Sequence, residues 1–150
     1  MRIKNTKKHV YTSLPISGYD LTERLGYATG IKAITSEYFN NKEWRVMCPF
    51  DIAPYRDEYE YKDYMRDDLY VLYGSDAIVM CDNWLESKGC RDEFFIAVNQ
   101  GITLYSVDYD ENGRYIKKMT KEDIELCMEF ACKKAICGCV NITNQSCEKN

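Results

Sequence analysis

Residues 76–101, DAIVMCDNWLESKGCRDEFFIAVNQG, constrain the fold of this chain more than any other stretch. Ala77-Ile-Val-Met-Cys81 is an unbroken apolar run, short for a helix and the right length for a strand buried on both faces. A polar turn follows, and Ser87 and Gly89 open a helix on which Cys90, Phe94 and Ala97 share one side. Glu93 falls on that same side. A doubly buried strand that feeds a helix is half of a parallel crossover, which commits the chain to an α/β sheet. A carboxylate just past the C-terminal end of such a strand sits where open α/β sheets take their ligands.

The rest of the chain alternates in the same way. Val10–Leu14 predicts a first strand, followed by the turn Pro15-Ile-Ser-Gly18. Asp20-Leu-Thr-Glu23 has capping-box spacing, and Tyr27, Ile31, Ile34 and Tyr38 carry a helix to about Asn40. Gly26 and Gly30 either weaken that helix or mark a face where another backbone comes close. Glu43–Cys48 is a second strand, stopped by Pro49. Phe50–Arg56, with Pro54, reads as a loop of the kind that lines sites. A helix is expected over Glu58–Tyr73, with Tyr61, Tyr64, Met65, Leu69 and Leu72 on one stripe. Asp68 lies on that stripe, whereas Asp67, Asp63 and Glu60 fall on the solvent side. An acid on an apolar stripe needs a partner or a purpose; pairing with Arg66 or capping the next element would be the structural explanation.

Ile102–Val107 is the last buried strand. Asn112-Gly113 predicts a hairpin across Ser106–Lys117, and Thr120 caps a final helix burying Ile124, Cys127, Met128, Ala131 and Ala135. The expected architecture is one α/β domain over residues 1–150. It has a doubly wound, mostly parallel sheet, Rossmann-like or flavodoxin-like, with helices on both faces. The core spans about 10–107, the hairpin and C-terminal helix about 108–138, and a loose tail 139–150.

Composition narrows the function classes. A net charge of −4 argues against a nucleic-acid polymer as partner. No apolar run approaches a membrane span, and the basic start MRIKNTKKHV lacks the apolar stretch of a secretory signal. The eight cysteines are therefore expected as reduced thiols in a cytoplasmic protein. Cys127, Cys132, Cys137, Cys139 and Cys147 crowd the C-terminal end, but without a CxxC pair or a nearby histidine they do not predict a metal site. The one histidine, His9, precedes the first strand, where a structural or surface role is expected. If the chain is an enzyme, its working groups are carboxylates. Of thirteen tyrosines, six fall between Tyr55 and Tyr73, and such rings suit pocket walls, subunit contacts or partly exposed core edges.

Two inward-facing acids belong to a larger constellation. It comprises Val10-Tyr-Thr-Ser-Leu-Pro-Ile-Ser-Gly18, Tyr64-Met-Arg-Asp-Asp-Leu69, Ser75-Asp76 and Trp84-x-x-Ser-x-Gly-x-x-x-Glu93, leading to Ala97. In order and spacing this resembles the nucleoside 2-deoxyribosyltransferase family, over roughly Val10 to Tyr105, and within it a small branch described only as a domain of unknown function. The resemblance implies cleavage of the N-glycosidic bond of a deoxynucleoside or deoxynucleotide, without a cofactor. Glu93 matches the glutamate that attacks C1′, Asp68 the acid that helps the base leave, and Tyr11 the tyrosine that positions the nucleophile. It also implies a homodimer or larger homo-oligomer.

The chemistry is consistent on its own terms. Glycosidic cleavage through an oxocarbenium-like transition state needs one carboxylate facing the anomeric carbon and a second acid holding a proton for the leaving group. Glu93, near a helix start, is expected to ionise readily, and Asp68, on its apolar stripe, to have a raised pKa. Ser87 stands where nucleoside-exchanging members carry an aspartate, which is similar to the deoxynucleoside 5′-monophosphate hydrolases of the same superfamily. Ser17, Gly18, Ser87 and Gly89 are then candidates for a phosphate at a helix N-terminus. The arginine those hydrolases place in the first loop is replaced here by Ser17. Trp84 and Tyr11 are candidates to stack on a base, with a core or lid role for Trp84 equally open. Two alternatives stand beside this reading: a nucleotide-binding module that senses without cleaving, and an NAD-cleaving glycohydrolase.

Overall fold

The computed structural model describes residues 7–53 and 56–139. Among these residues five strands form one sheet: β1 (Lys8–Ser13), β2 (Trp44–Met47), β3 (Ala77–Met80), β4 (Thr103–Asp110) and β5 (Gly113–Lys118). Their order is β2-β1-β3-β4-β5, parallel except for the antiparallel β4–β5 ribbon. This is the doubly wound α/β fold expected, in flavodoxin-like order, with the chain reversing its direction of winding between β1 and β3. All four residues of β3 are buried, as the unbroken apolar run requires.

Side chains on β1 alternate between two cores. Val10 packs with Val46, Val79 and Phe39 beneath helix α1 (Leu21–Phe39). Tyr11 packs with Ile78, Met80 and Leu104 beneath α3 (Tyr61–Tyr73), α4 (Lys88–Gln100) and α5 (Lys121–Cys139). Ser87 caps α4 by accepting from the Cys90 amide, and Thr120 and Asp123 cap α5 reciprocally.

Several expectations are corrected. The buried line of α1 is Arg24, Ala28, Ile31, Thr35 and Phe39, which shares Ile31 with the predicted stripe; Tyr27 and Ile34 pack partly buried beside it, and Tyr38 is half-exposed. Polar residues can hold this line because they find partners: the Thr35 hydroxyl donates to the Ile31 carbonyl at 2.6 Å. Side chains added at Gly26 or Gly30 would meet nothing within 4 Å among the described residues, so no backbone of those residues approaches there. A short helix, α2 (Pro49–Ile52), occupies part of the predicted loop, and α3 starts three residues later than expected. Pro54, Tyr55, the tail beyond Cys139 and the side chains of Cys137 and Cys139 lie outside the described residues. Among those described, Cys48, Cys81, Cys90, Cys127 and Cys132 are free thiols. No group of His, Cys, Asp and Glu there is placed to hold a metal, and no helix there is long and apolar enough to cross a membrane.

Candidate active site

A cavity of about 700 Å³ opens at the C-terminal edge of β1, β2 and β3, beside the β1–β3 reversal. The loop after β1 supplies Leu14–Ser17 and Tyr19 to its wall, α2 supplies Pro49 and Phe50, α3 supplies Tyr61, Tyr64, Met65 and Asp68, and the start of α4 supplies Ser87–Cys90. Glu93 and Asp68 line it together. Helical spacing turns each acid toward the sheet, and the packing of α3 against α4 brings the two elements together. Gly89 lies at that contact: a Cβ there would stand 3.2 Å from the Met65 sulfur, so the Met65 side chain would have to shift by a few tenths of an ångström.

Glu93 is 3% exposed and fully bonded. The Tyr11 hydroxyl donates to its Oε2 at 2.5 Å, and the Ser13 hydroxyl to its Oε1 at 2.8 Å. Asp68, 7% exposed, leaves its Oδ1 buried without a hydrogen-bond partner among the described residues. Arg66 turns instead to Asp63 and Asp67, so the structural explanation of an Arg66–Asp68 pair does not hold.

Burial, then the neighbouring Glu93 charge, pushes Asp68 up to about 8, while the nearby Tyr11 hydroxyl tempers the rise. Glu93 does not ionise as readily as expected. Burial raises it to about 7, and the donated bonds from Tyr11 and Ser13 only partly offset that. The helix dipole fades within the first turn, which Glu93 lies beyond. Asp68 nevertheless stays the weaker acid of the two, the order that a proton donor beside a nucleophile requires. Tyr11 is held protonated well above the usual tyrosine range, chiefly by burial and then by Glu93.

The other predicted residues divide. Ser17, Ser87 and Gly89 line the cavity. Gly18 does not; at φ 85° it turns the chain beside Ser17, a conformation suited to glycine. Trp84 is a correction: it is buried against Phe94 with ring centroids 4.7 Å apart, away from the cavity wall. Tyr11 also has no face free to stack on a base, being wholly buried behind Glu93. His9 takes no part; its backbone amide bonds Asp76. Ser13 was not predicted as a site residue. The signal was present, since residues two apart on a strand share a face and Tyr11 was already placed. Phe50 and Tyr64 add aromatic surface, and Arg56 stands at the wall over Tyr59, 5.0 Å from its ring.

A family model described as "Domain of unknown function (DUF4406)" matches residues 8–106. No curated protein matches the chain. The fold is similar to that of a crystal structure of a conserved protein from Enterococcus faecalis V583, at 20% identity and a TM-score of 0.51. That match covers 71% of this chain and 66% of the other, just under two thirds of its length, and speaks to the fold alone.

Proposed function

Since the chain belongs to the DUF4406 family, whose description carries no activity, we propose its function from the site. It is an enzyme that cleaves the N-glycosidic bond of deoxynucleosides or deoxynucleoside 5′-monophosphates through a glutamate nucleophile. The observation that carries this is the pair of buried carboxyls on one cavity wall: Glu93 bonded through both oxygens and Asp68 with one oxygen unpartnered among the described residues. The resemblance of the motif order to that of the nucleoside 2-deoxyribosyltransferases supports it.

In the proposed reaction the Glu93 carboxylate attacks C1′ of the sugar. The bond to the base breaks as Asp68 passes its proton to the departing nitrogen, leaving a glycosyl ester on Glu93 and an ionised Asp68. Asp68 then takes a proton from water, or from a second base, as that group attacks C1′ and frees Glu93. Tyr11 and Ser13 keep Glu93 aimed and stabilise its charge. Aromatic surface at Phe50 and Tyr64 suits a heterocycle, and Ser17 and Ser87 suit an anionic group at the α4 start. The reading carries with it a cytoplasmic homo-oligomer without a cofactor.

Chromatography of the protein with a panel of deoxynucleosides and their monophosphates, with and without free adenine, tests the proposal. Release or exchange of base that disappears in Glu93→Gln is the expected result. Saturable thermal stabilisation by a nucleotide without product would replace the enzyme with a binding module, and nicotinamide released from NAD would replace the substrate class.

A further inference from the structure

Arg24 is the least expected residue in the core. It sits on the buried line of α1 at 6% exposure, where a leucine or methionine would pack without the cost of burying a charge. What the guanidinium does there requires its fork and its flat faces. Nη1 donates to the Pro15 carbonyl at 3.3 Å and Nη2 to Glu23 at 2.8 Å, while Nε has no partner among the described residues. The guanidinium carbon lies 4.1 Å from the Tyr19 ring centroid and 4.5 Å from that of Tyr27. Pro15 and Tyr19 are the two ends of the turn after β1, and both line the cavity, with Ser17 between them.

The contact continues beyond the turn. Tyr27 donates from its hydroxyl to Asp82 Oδ2 at 2.8 Å and accepts from the Asp82 amide at 2.9 Å. Asp82 follows β3 in the connection leading to Ser87, and Arg114 of β5 holds the same carboxylate at 2.7 Å. Arg24 and Tyr27 therefore tie together the two loops that carry Ser17 and Ser87, from behind the cavity and without lining it. We infer that Arg24 is a positioning residue, which holds the Pro15–Tyr19 turn in register with the β3 loop so that Ser17 and Ser87 together receive the anionic end of the substrate. The inference rests on the function proposed above only for the identity of that substrate; the clamp itself is a property of the fold.

Two measurements test it on the full chain. In Arg24→Met, amide hydrogen exchange over residues 16–20 accelerates by about tenfold or more, while peptides from β3 and α4 exchange as in the wild type. With a deoxynucleoside 5′-monophosphate that the wild type cleaves, KM rises about tenfold, while kcat and the KM for the unphosphorylated nucleoside stay within about twofold. Arg24→Lys does not rescue, because one ammonium cannot bridge Pro15 and Glu23 while stacking on two rings. Should Arg24→Met fail to fold, Tyr27→Phe, which keeps the ring and cuts the link to Asp82, gives the same changes at smaller size. Unchanged exchange in the turn, or nucleoside and nucleotide KM rising together, overturns the inference. A wild type that cleaves neither compound overturns the proposed function instead, and the exchange measurement then decides the clamp by itself.

Discussion

Tyr11 and Glu93 lie 82 positions apart and share a buried hydrogen bond of 2.5 Å, the hydroxyl of a central strand donating to a carboxylate on the helix that covers it. With Ser13 on the second oxygen, this bond is what moderates the pKa of Glu93 in a setting that burial pushes upward. Asp68 stands beside the pair, higher still at about 8.

If Glu93 must be ionised and Asp68 protonated, kcat/KM follows a narrow bell with limbs near the values of about 7 and about 8. Activity falls toward acid as Glu93 takes up a proton and toward alkali as Asp68 loses one. The groups are coupled, so the limbs belong to the pair. A pH–rate profile between 5.5 and 9.5 (roughly two units around the pair) measures it.

Removing the donors moves these limbs in defined directions. Both bonds favour the carboxylate of Glu93, so their loss raises its pKa. Ser13→Ala shifts the acid limb up by about one unit and moves the alkaline limb less, only through the coupling of the pair. Tyr11→Phe shifts both upward, because Tyr11 also tempers Asp68. Steady-state profiles of the two variants separate these outcomes.

The carboxyls themselves are expected to dominate turnover. Glu93→Gln loses base release by about a thousandfold or more, since no glycosyl ester can form. Asp68→Asn loses it by about 10²–10⁴-fold, and least for substrates whose base leaves without protonation. Single-turnover chromatography of released base gives both numbers.

Asp68 also makes a stability prediction. Its folded pKa, about 8 against an ordinary 3.8, means that the folded protein keeps a proton that the unfolded chain surrenders from about pH 4. The stability present at low pH is therefore lost as pH rises toward 8. Asp68→Asn escapes that loss, so its Tm advantage over the wild type grows from pH 5 to pH 8 and then levels off, reaching at least ~3 °C. Calorimetry across that range checks the trend.

Trp84→Ala should separate packing from binding. The indole fills the core against Phe94, so the substitution costs about 3 kcal/mol of stability. KM stays within about twofold of the wild type, since the ring does not line the cavity. Denaturant melts and initial-rate kinetics on the same preparation test both halves.

Local pattern alone was enough to read the strands, the helices α4 and α5, and the inward direction of Asp68 and Glu93. Strand length, capping residues and 3.6-residue spacing act within a few residues, and those signals survive in a bare sequence. The polar members of the buried line of α1 were not legible, because Arg24 and Thr35 are buried through bonds to their surroundings rather than through hydrophobicity. Trp84 was ambiguous for the opposite reason: a large aromatic ring suits a core and a binding wall equally, and only its neighbours decide.

By itself, then, the sequence determined the α/β class and which acids turn inward, because those follow from the chain's local periodicity. Tertiary structure alone decided that Ser13 completes the hold on Glu93, that Asp68 keeps an oxygen unpartnered among the described residues, and that Glu93 lies near 7 rather than in the ordinary carboxylate range. Each of these depends on the desolvation and hydrogen bonding that arise where β1, α3 and α4 meet, and contacts between residues so far apart in the chain leave no periodic trace in it.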